Sequence, residues 1–348
     1  MTVKIEQIKS ERDDAEEDVS RYKIAAYPAD YTLQGLYDKW ISEEIFVPPF
    51  QRRFVWTINQ ASSLIESFLL GLPVPPLFLY RESDTQRLLV VDGQQRLRSV
   101  FGYFAEEFPD TRQRFSLRKV KAVWEGLVFS QLNSADKIRL RDAVLRTIII
   151  EQLDPKDNTS MYHIFKRLNT GGTTLNSQEI RNALYHGEFS KFLMELNSIP
   201  NWRVILGSAV VDKRYRDVEL VLRTLALAEN GDRYHKPMTD FLTDFMKENR
   251  NNKERFEKYR SNFEGAVNYV VETLDSKPFH RQRGLNAAIC DSVMVAFYHN
   301  LLNRKLDLRE QYRKLLNNDS FDRYVSSSTT DVDTVKQRIK LAQQGLFG

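Results

Sequence analysis

Apolar positions recur at helical spacing along most of this chain and gather into short continuous runs in only a few places. After a polar stretch, YTLQGLYDKWISEEIF places Leu33, Leu36, Tyr37 and Trp40 three and four apart, which predicts a short amphipathic helix. VPPFQRRFVW is extended, because each proline holds its predecessor out of the helical region. TINQASSLIESFLLG carries a Thr57/Gln60 capping box, an apolar face of Ala61, Leu64, Ile65, Phe68 and Leu69, and a closing Gly71. LFLY and RLLVV then predict two neighbouring strands joined by RESDTQ. A helix starting near Gln94 or Gln95 follows, with Leu97, Val100, Phe101 and Phe104 on one face.

KAVWEGLVF and LRTIIIEQL predict further strands, with a polar helical stretch between them. From about Thr159 the spacing is almost wholly helical, from SMYHIFKRL through LNAAICDSVMVAFYHNLLN. The fold class expected is α+β: a flexible leader over 1–30, a mixed domain over 31–155, and an all-helical domain over 156–348 that carries an NTGG loop.

Composition removes several alternatives. The 348 residues hold 42% hydrophobic and 28% charged side chains, ordinary values for a globular chain. No apolar run reaches the roughly 18 residues of a membrane span, and the N-terminus lacks a signal peptide's apolar core, so a cytoplasmic chain without membrane contact is expected. Cys290 is the single cysteine, which excludes an internal disulfide. A net charge of +4 permits nucleic-acid contact without arguing for it. One basic run, Arg112, Arg114, Arg118, Lys119 and Lys121, reads either as a solvated face or as a phosphate-contacting patch.

The candidate chemistry lies at VVDGQQRLRSV. A strand ends, Asp92 and Gly93 turn the chain, and Gln94, Gln95 and Arg96 open a helix. A helix N-terminus favours a bound anion, Gly93 lets backbone approach it, and Arg96 offers a forked donor to phosphate. Asp92 reads as a metal ligand, a water-polarising base or a helix cap, and the plain alternative is a capped polar turn. Arg96 lies off the apolar helix face, so its truncation is expected to spare the fold. Two further polar islands are Gln51, Arg52 and Arg53 in PPFQRRFVW, and Asn169, Thr170, Gly171 and Gly172 before a helix capped by Asn176 or Ser177. The glycine pair reads as a loop closing over the DGQQR turn, or as a plain connector. The five histidines are scattered without metal-ligand spacing, and no GxxxxGK[ST] motif is present.

Taken in order, VPPFQRRFVW, VVDGQQRLRSV and IFKRLNTGGTTLNSQEIRNALY resemble the N-terminal domain family of GmrSD-type restriction endonucleases over roughly residues 30 to 300. The resemblance implies a ParB/sulfiredoxin-like first domain, NTP binding (GTP or another nucleotide, with Mg²⁺ as the associated ion) and hydrolysis in prokaryotic defence. Carried over by position, it implies a pocket of Gln51, Arg52, Gly93, Gln94, Asn169, Gly171 and Gly172, with Asp92, Gln95 and Arg96 as the catalytic set. Many members append or pair with a His-Asn-His nuclease. No such pattern occurs here, so a separately encoded nuclease subunit is the expected partner, with DNA as a further one. A ParB-like metal-dependent nuclease and a non-enzymatic DNA-binding regulator are the alternatives.

Overall fold

A computed structural model of the chain describes residues 23–47, 54–153, 160–168, 175–281 and 284–348. The chain divides into two compact units, one over Arg21–Leu175 and one built mainly from Asn176–Gly348.

The first unit is a five-stranded mixed sheet with helices. Its strands are β1 (Ile24–Thr32), β2 (Ile45–Phe46), β3 (Leu77–Arg81), β4 (Leu88–Asp92) and β5 (Val144–Gln152), in the spatial order β1-β5-β3-β4-β2. β3 and β4 are the expected neighbours and pair antiparallel, with a register shift between Phe78 and Leu79. β3 runs parallel to β5, and β2 parallel to β4. Leu88, Leu89, Val90 and Val91 are all buried, as suits a strand with pairing partners on either side.

The helices of this unit are α1 (Leu33–Ile41), α2 (Ile58–Leu69), α3 (Gln94–Phe104), α4 (Ser134–Asp142) and α5 (Ser160–Leu168). In α2 the sequence pattern holds to the residue: Thr57 and Gln60 form the capping box, the five named apolar residues are buried, and Gly71 turns left-handed at φ 71° just past the end. α3 begins at Gln94 and buries Leu97, Val100 and Phe101, packing beside α2.

Three expectations change. The last residues of the leader expected over 1–30 belong instead to a strand, because Ile24–Thr32 pairs antiparallel with β5 along its whole length, Ile24 opposite Gln152 and Thr32 opposite Val144. KAVWEGLVF forms no strand. Gly126 at φ 78° returns the chain so that its N–H reaches Leu117 O at 2.8 Å, and Trp124 is anchored by an Nε1–H bond to Asp136 at 2.8 Å. The domain boundary expected near 155 moves to 175/176, because α5 lies against β4.

Among the described residues, the second unit is helical apart from one short hairpin, His280–Arg281 with Gly284–Leu285 (β6 and β7). Its helices are α6 (Ser177–Leu184), α7 (Glu188–Asn197), α8 (Pro200–Leu206), α9 (Arg216–Asn230), α10 (Met238–Asn249), α11 (Phe256–Thr273), α12 (Ala287–His299), α13 (Leu308–Leu316), α14 (Asp319–Ser326) and α15 (Val332–Phe347). α12 is its centre: every residue from Ala287 to Tyr298 is buried, against α9, α11, α14 and α15. Its sequence, AAICDSVMVAFY, is apolar nearly all round, as an enclosed helix requires. Among the described residues, no helix is long and apolar enough to cross a membrane.

Candidate functional site

The DGQQR turn lies where β4 passes into α3. Gly93 is the N-cap of α3 at φ 98° and ψ 9°, a conformation that costs an L side chain dearly. An added Cβ would stand 2.2 Å from Leu77 Cδ2, so glycine is demanded by backbone and packing together. Gly93 has no side chain to cap the helix, and the first intrahelical bond runs from Leu97 N–H to Gly93 O at 2.9 Å. The helix therefore opens on backbone N–H groups and the positive end of its dipole.

Asp92 ends β4 and does not cap the helix; its Oδ2 accepts from Arg96 Nη2 at 2.7 Å. Arg96 is only 13% exposed and donates also to the carbonyls of Pro75 and, at 3.0 Å, Pro76. Burial pulls the Arg96 pKa below its ordinary value while Asp92 opposes that shift. A guanidinium keeps its proton under such a shift. Arg96 thus ties the LPVPP strap to the turn, and the expectation that its truncation spares the fold gives way. Removing it strands two proline carbonyls and a carboxylate, so Arg96→Ala loosens this corner as well as any bound anion.

Gln95 is committed too. Its Oε1 accepts from Val55 N–H at 2.9 Å and Trp56 N–H at 3.2 Å. Phe54 N–H donates to Asp110 Oδ2 at 2.8 Å, and Asp110 also pairs with Arg98 of α3. The end of the first motif is thereby fastened to the opening turns of α3. Gln51 and Arg52 directly precede that anchored stretch but lie outside the described residues, as do Asn169, Gly171 and Gly172. α5, which leads into the NTGG loop, packs near β4, the strand that ends at Asp92.

Gln95→Ala should remove one acceptor from two backbone donors and destabilise the unit by about 1 kcal/mol, the low end of the range because Val55 is exposed. Amide hydrogen exchange at Val55 and Trp56 should accelerate, and Gln95→Glu, which keeps the acceptor, should restore protection. Unchanged exchange in Gln95→Ala would show that the side chain does not hold this segment.

A cleft of about 490 Å³ lies between α1, α3 and the 107–112 turn, with Tyr37, Trp40, Arg98, Phe101, Asp110 and Arg112 among its walls. Gln95, Arg98 and Gly102 follow helical spacing on α3, so the cleft starts one turn beyond the helix opening. Its volume falls within the range of small-molecule sites, and its aromatic and guanidinium walls suit a planar, anionic ligand.

Among the described residues, no three or more His, Cys, Asp or Glu side chains gather into a set that could hold a metal ion. Asp92, already paired with Arg96, is the only acid in the DGQQR pentapeptide. Among the described residues, the turn offers a metal ion one carboxylate, already engaged by Arg96, which does not make a protein-held metal centre.

The second half of the third motif is described, and much of it is buried. Asn176 caps α6 through a reciprocal box, accepting from Glu179 N–H at 2.8 Å while its own N–H donates to Glu179 Oε2 at 2.7 Å. Glu179 also accepts from Arg214 at 2.9 Å. Arg181, fully buried, donates to Gln178 at 2.9 Å and pairs with Glu219 of α9. This polar cluster went unread in the sequence beyond its capping residues. Its signal was four polar residues in the first turn and a half of a helix that also carries Ile180 and Leu184.

No curated protein matches the chain. Residues 33–186 match the family described as the GmrSD restriction endonuclease, N-terminal domain, and that span takes in all three motifs. It is narrower than the span over which the sequence resembles the family. It omits β1, one of the two edge strands of the sheet, and reaches past the end of the first unit to include α6. Through residues 33–186, the chain is similar to the GmrSD restriction endonuclease N-terminal domain family.

Proposed function

We propose that this chain is the nucleotide-binding and NTP-hydrolysing component of a restriction-like defence system, gating a separately encoded nuclease or a DNA contact. The observation that carries this reading is the opening of α3 behind left-handed Gly93, uncapped by any N-cap side chain and flanked by the Arg96–Asp92 pair, whose guanidinium is mostly buried and whose carboxylate is partly exposed. Such an opening favours a phosphate by dipole and backbone N–H. Gly93 and Gln94 meet the phosphates through backbone. Gln51, Arg52, Asn169, Gly171 and Gly172 complete the pocket from the two flanking motifs. The base occupies the cleft beside Trp40 and Arg98.

Asp92 orients and polarises the attacking water, and Arg96 supplies fixed positive charge without having to move. Gln95 acts by holding the first motif in place. Phosphoryl transfer makes few covalent demands on a protein, so positioning and charge suffice.

Isothermal titration with ATP and GTP, beside a phosphate-release assay, tests this. Asp92→Asn keeps an acceptor for Arg96 and lessens repulsion of phosphate. Binding should stay within a few-fold of the parent while turnover falls about a hundredfold, the scale of a lost general base. A parent chain that binds no nucleotide would overturn the reading, and so would unchanged turnover in Asp92→Asn.

A further inference from the structure

The basic run between Thr111 and Lys121 is neither a helix face nor a strand. It is an irregular segment with Arg112 at φ 55° and Lys119 at φ 57°, preceded by Asp110 at φ 63°. Its apolar residues turn inward, Phe115 and Leu117 being fully buried. Arg112, Arg114, Arg118, Lys119 and Lys121 are all exposed, and TRQRFSLRKVK contains no acid. Among the described residues, none of these five cations makes an ion pair.

Nearby acids are spent on backbone and on Arg98 instead. Glu66 Oε1 accepts from Lys121 N–H at 2.7 Å, and Glu125 Oε2 from Val120 N–H at 3.0 Å. Glu106 Oε1 accepts from Ser130 N–H at 2.7 Å, and Asp110 pairs with Arg98. Glu107 meets Arg114 only through a backbone bridge. Arg118 N–H is held by Ser62 Oγ at 3.0 Å, and Phe115 N–H by Glu106 O at 2.9 Å. The carboxylates thus fix the shape of the segment, and only Glu106 acts through space on one of its cations, Arg114. Local self-repulsion among five cations is unfavourable unless something anionic meets them.

We propose that Arg112, Arg114, Arg118, Lys119 and Lys121 form a docking surface for the phosphate backbone of duplex DNA. Guanidinium forks match phosphodiester oxygens, and a held segment meets a regular array of charge at little entropic cost. No large apolar side chain is exposed between Thr111 and Lys121, so the surface lacks both the anchor of a protein interface and the wedge of a membrane-inserting one. Contact of this kind is independent of base sequence. The inference goes beyond the nucleotide reading and does not depend on it.

Fluorescence anisotropy with a mixed-sequence duplex, run without nucleotide across a salt series, tests it on the full chain. Five phosphate contacts give a slope of log affinity against log salt of about −4.5, which is roughly a 500-fold loss for a fourfold rise in salt. Changing all five cations to glutamine should bring the slope near zero while the melting temperature stays at the parent's value, and the four-site variant that keeps Arg112, a wall of the nucleotide cleft, should also keep the parent's nucleotide affinity. Arg118→Gln with Lys119→Gln alone should flatten the slope by about 2. Arg309→Gln, Arg313→Gln and Lys314→Gln together, at exposed ion-paired positions, should leave it unchanged.

A parent chain that does not bind duplex, or a five-site variant with the parent's slope, would overturn the proposal. So would dependence on these five residues for phosphatidylglycerol vesicles or single-stranded RNA in place of duplex. Asp92→Asn should bind duplex as the parent does, which keeps failure of this surface distinct from failure of the nucleotide site.

Discussion

Gly93→Ala should lower the melting temperature of the α/β unit by about 4–20 °C. Two costs combine at this position. A left-handed backbone at φ 98° costs an alanine about 1–2 kcal/mol. The new methyl stands 2.2 Å from Leu77 Cδ2, and overpacking of that kind costs about 1–3 kcal/mol. The sum of about 2–5 kcal/mol, at roughly 2–4 °C per kcal/mol for a unit of this size, gives the stated shift. Leu77→Ala in the same chain separates the two costs. It removes the clashing methyl and leaves the backbone cost, so the double variant should lose less than the two single changes added. Strict additivity would mean that the clash contributes nothing. Nucleotide affinity measured well below the melting temperature should also fall, because relieving the clash moves the turn on which α3 opens.

What was legible in the sequence is what short-range pattern decides. Thr57, Gln60 and Gly71 bound α2 because capping is settled within four residues, and the buried face followed from spacing. The β4-turn-α3 junction was legible for the same reason. The jobs of Gln95 and Arg96 were not. Their acceptors and donors lie 39 and 40 residues away at Trp56 and Val55, and 20 and 21 residues away at Pro76 and Pro75. A side chain able to grip phosphate is equally able to grip a proline carbonyl, and sequence does not separate the two.

β1 hid among the weak strand formers of IAAYPADYT, whose pairing with β5 comes from chain more than a hundred residues on. KAVWEGLVF erred the other way. Its Val, Trp and Leu suit a strand, but Gly126 and the bond from Leu117 to Leu127 fold it into a compact turn. β-propensity yields readily to such context.

Buried charge was the least legible feature, because arginine and aspartate are read as surface residues by default. Asp291→Ala should unfold the helical unit or leave it barely stable. Asp291 stands on α12 with no exposure, and two guanidiniums converge on its carboxylate. Arg223 donates to Oδ2 through Nη2 at 2.7 Å and Nε at 3.1 Å. Arg338 reaches Oδ1 through Nε at 3.1 Å and Oδ2 through Nη2 at 2.9 Å, and also binds Thr329 O. The three residues join α9, α12 and α15 at the centre of the unit. Breaking one buried pair costs about 3–5 kcal/mol by leaving a charge unpaired. Alanine here breaks two such pairs at once, and a domain's whole stability is only about 5–15 kcal/mol. Arg223→Met should cost less, since Arg338 and Asp291 remain as a one-to-one pair. Changing all three together, Arg223→Met, Asp291→Leu and Arg338→Met, should recover most of what Asp291→Ala loses, because an apolar set of similar volume carries no desolvation cost. Urea unfolding followed separately for the two units measures each step. Asp291→Ala within about 1 kcal/mol of the parent would mean that water or a neighbouring carbonyl replaces the carboxylate, and that the triad is not what holds these three helices in register.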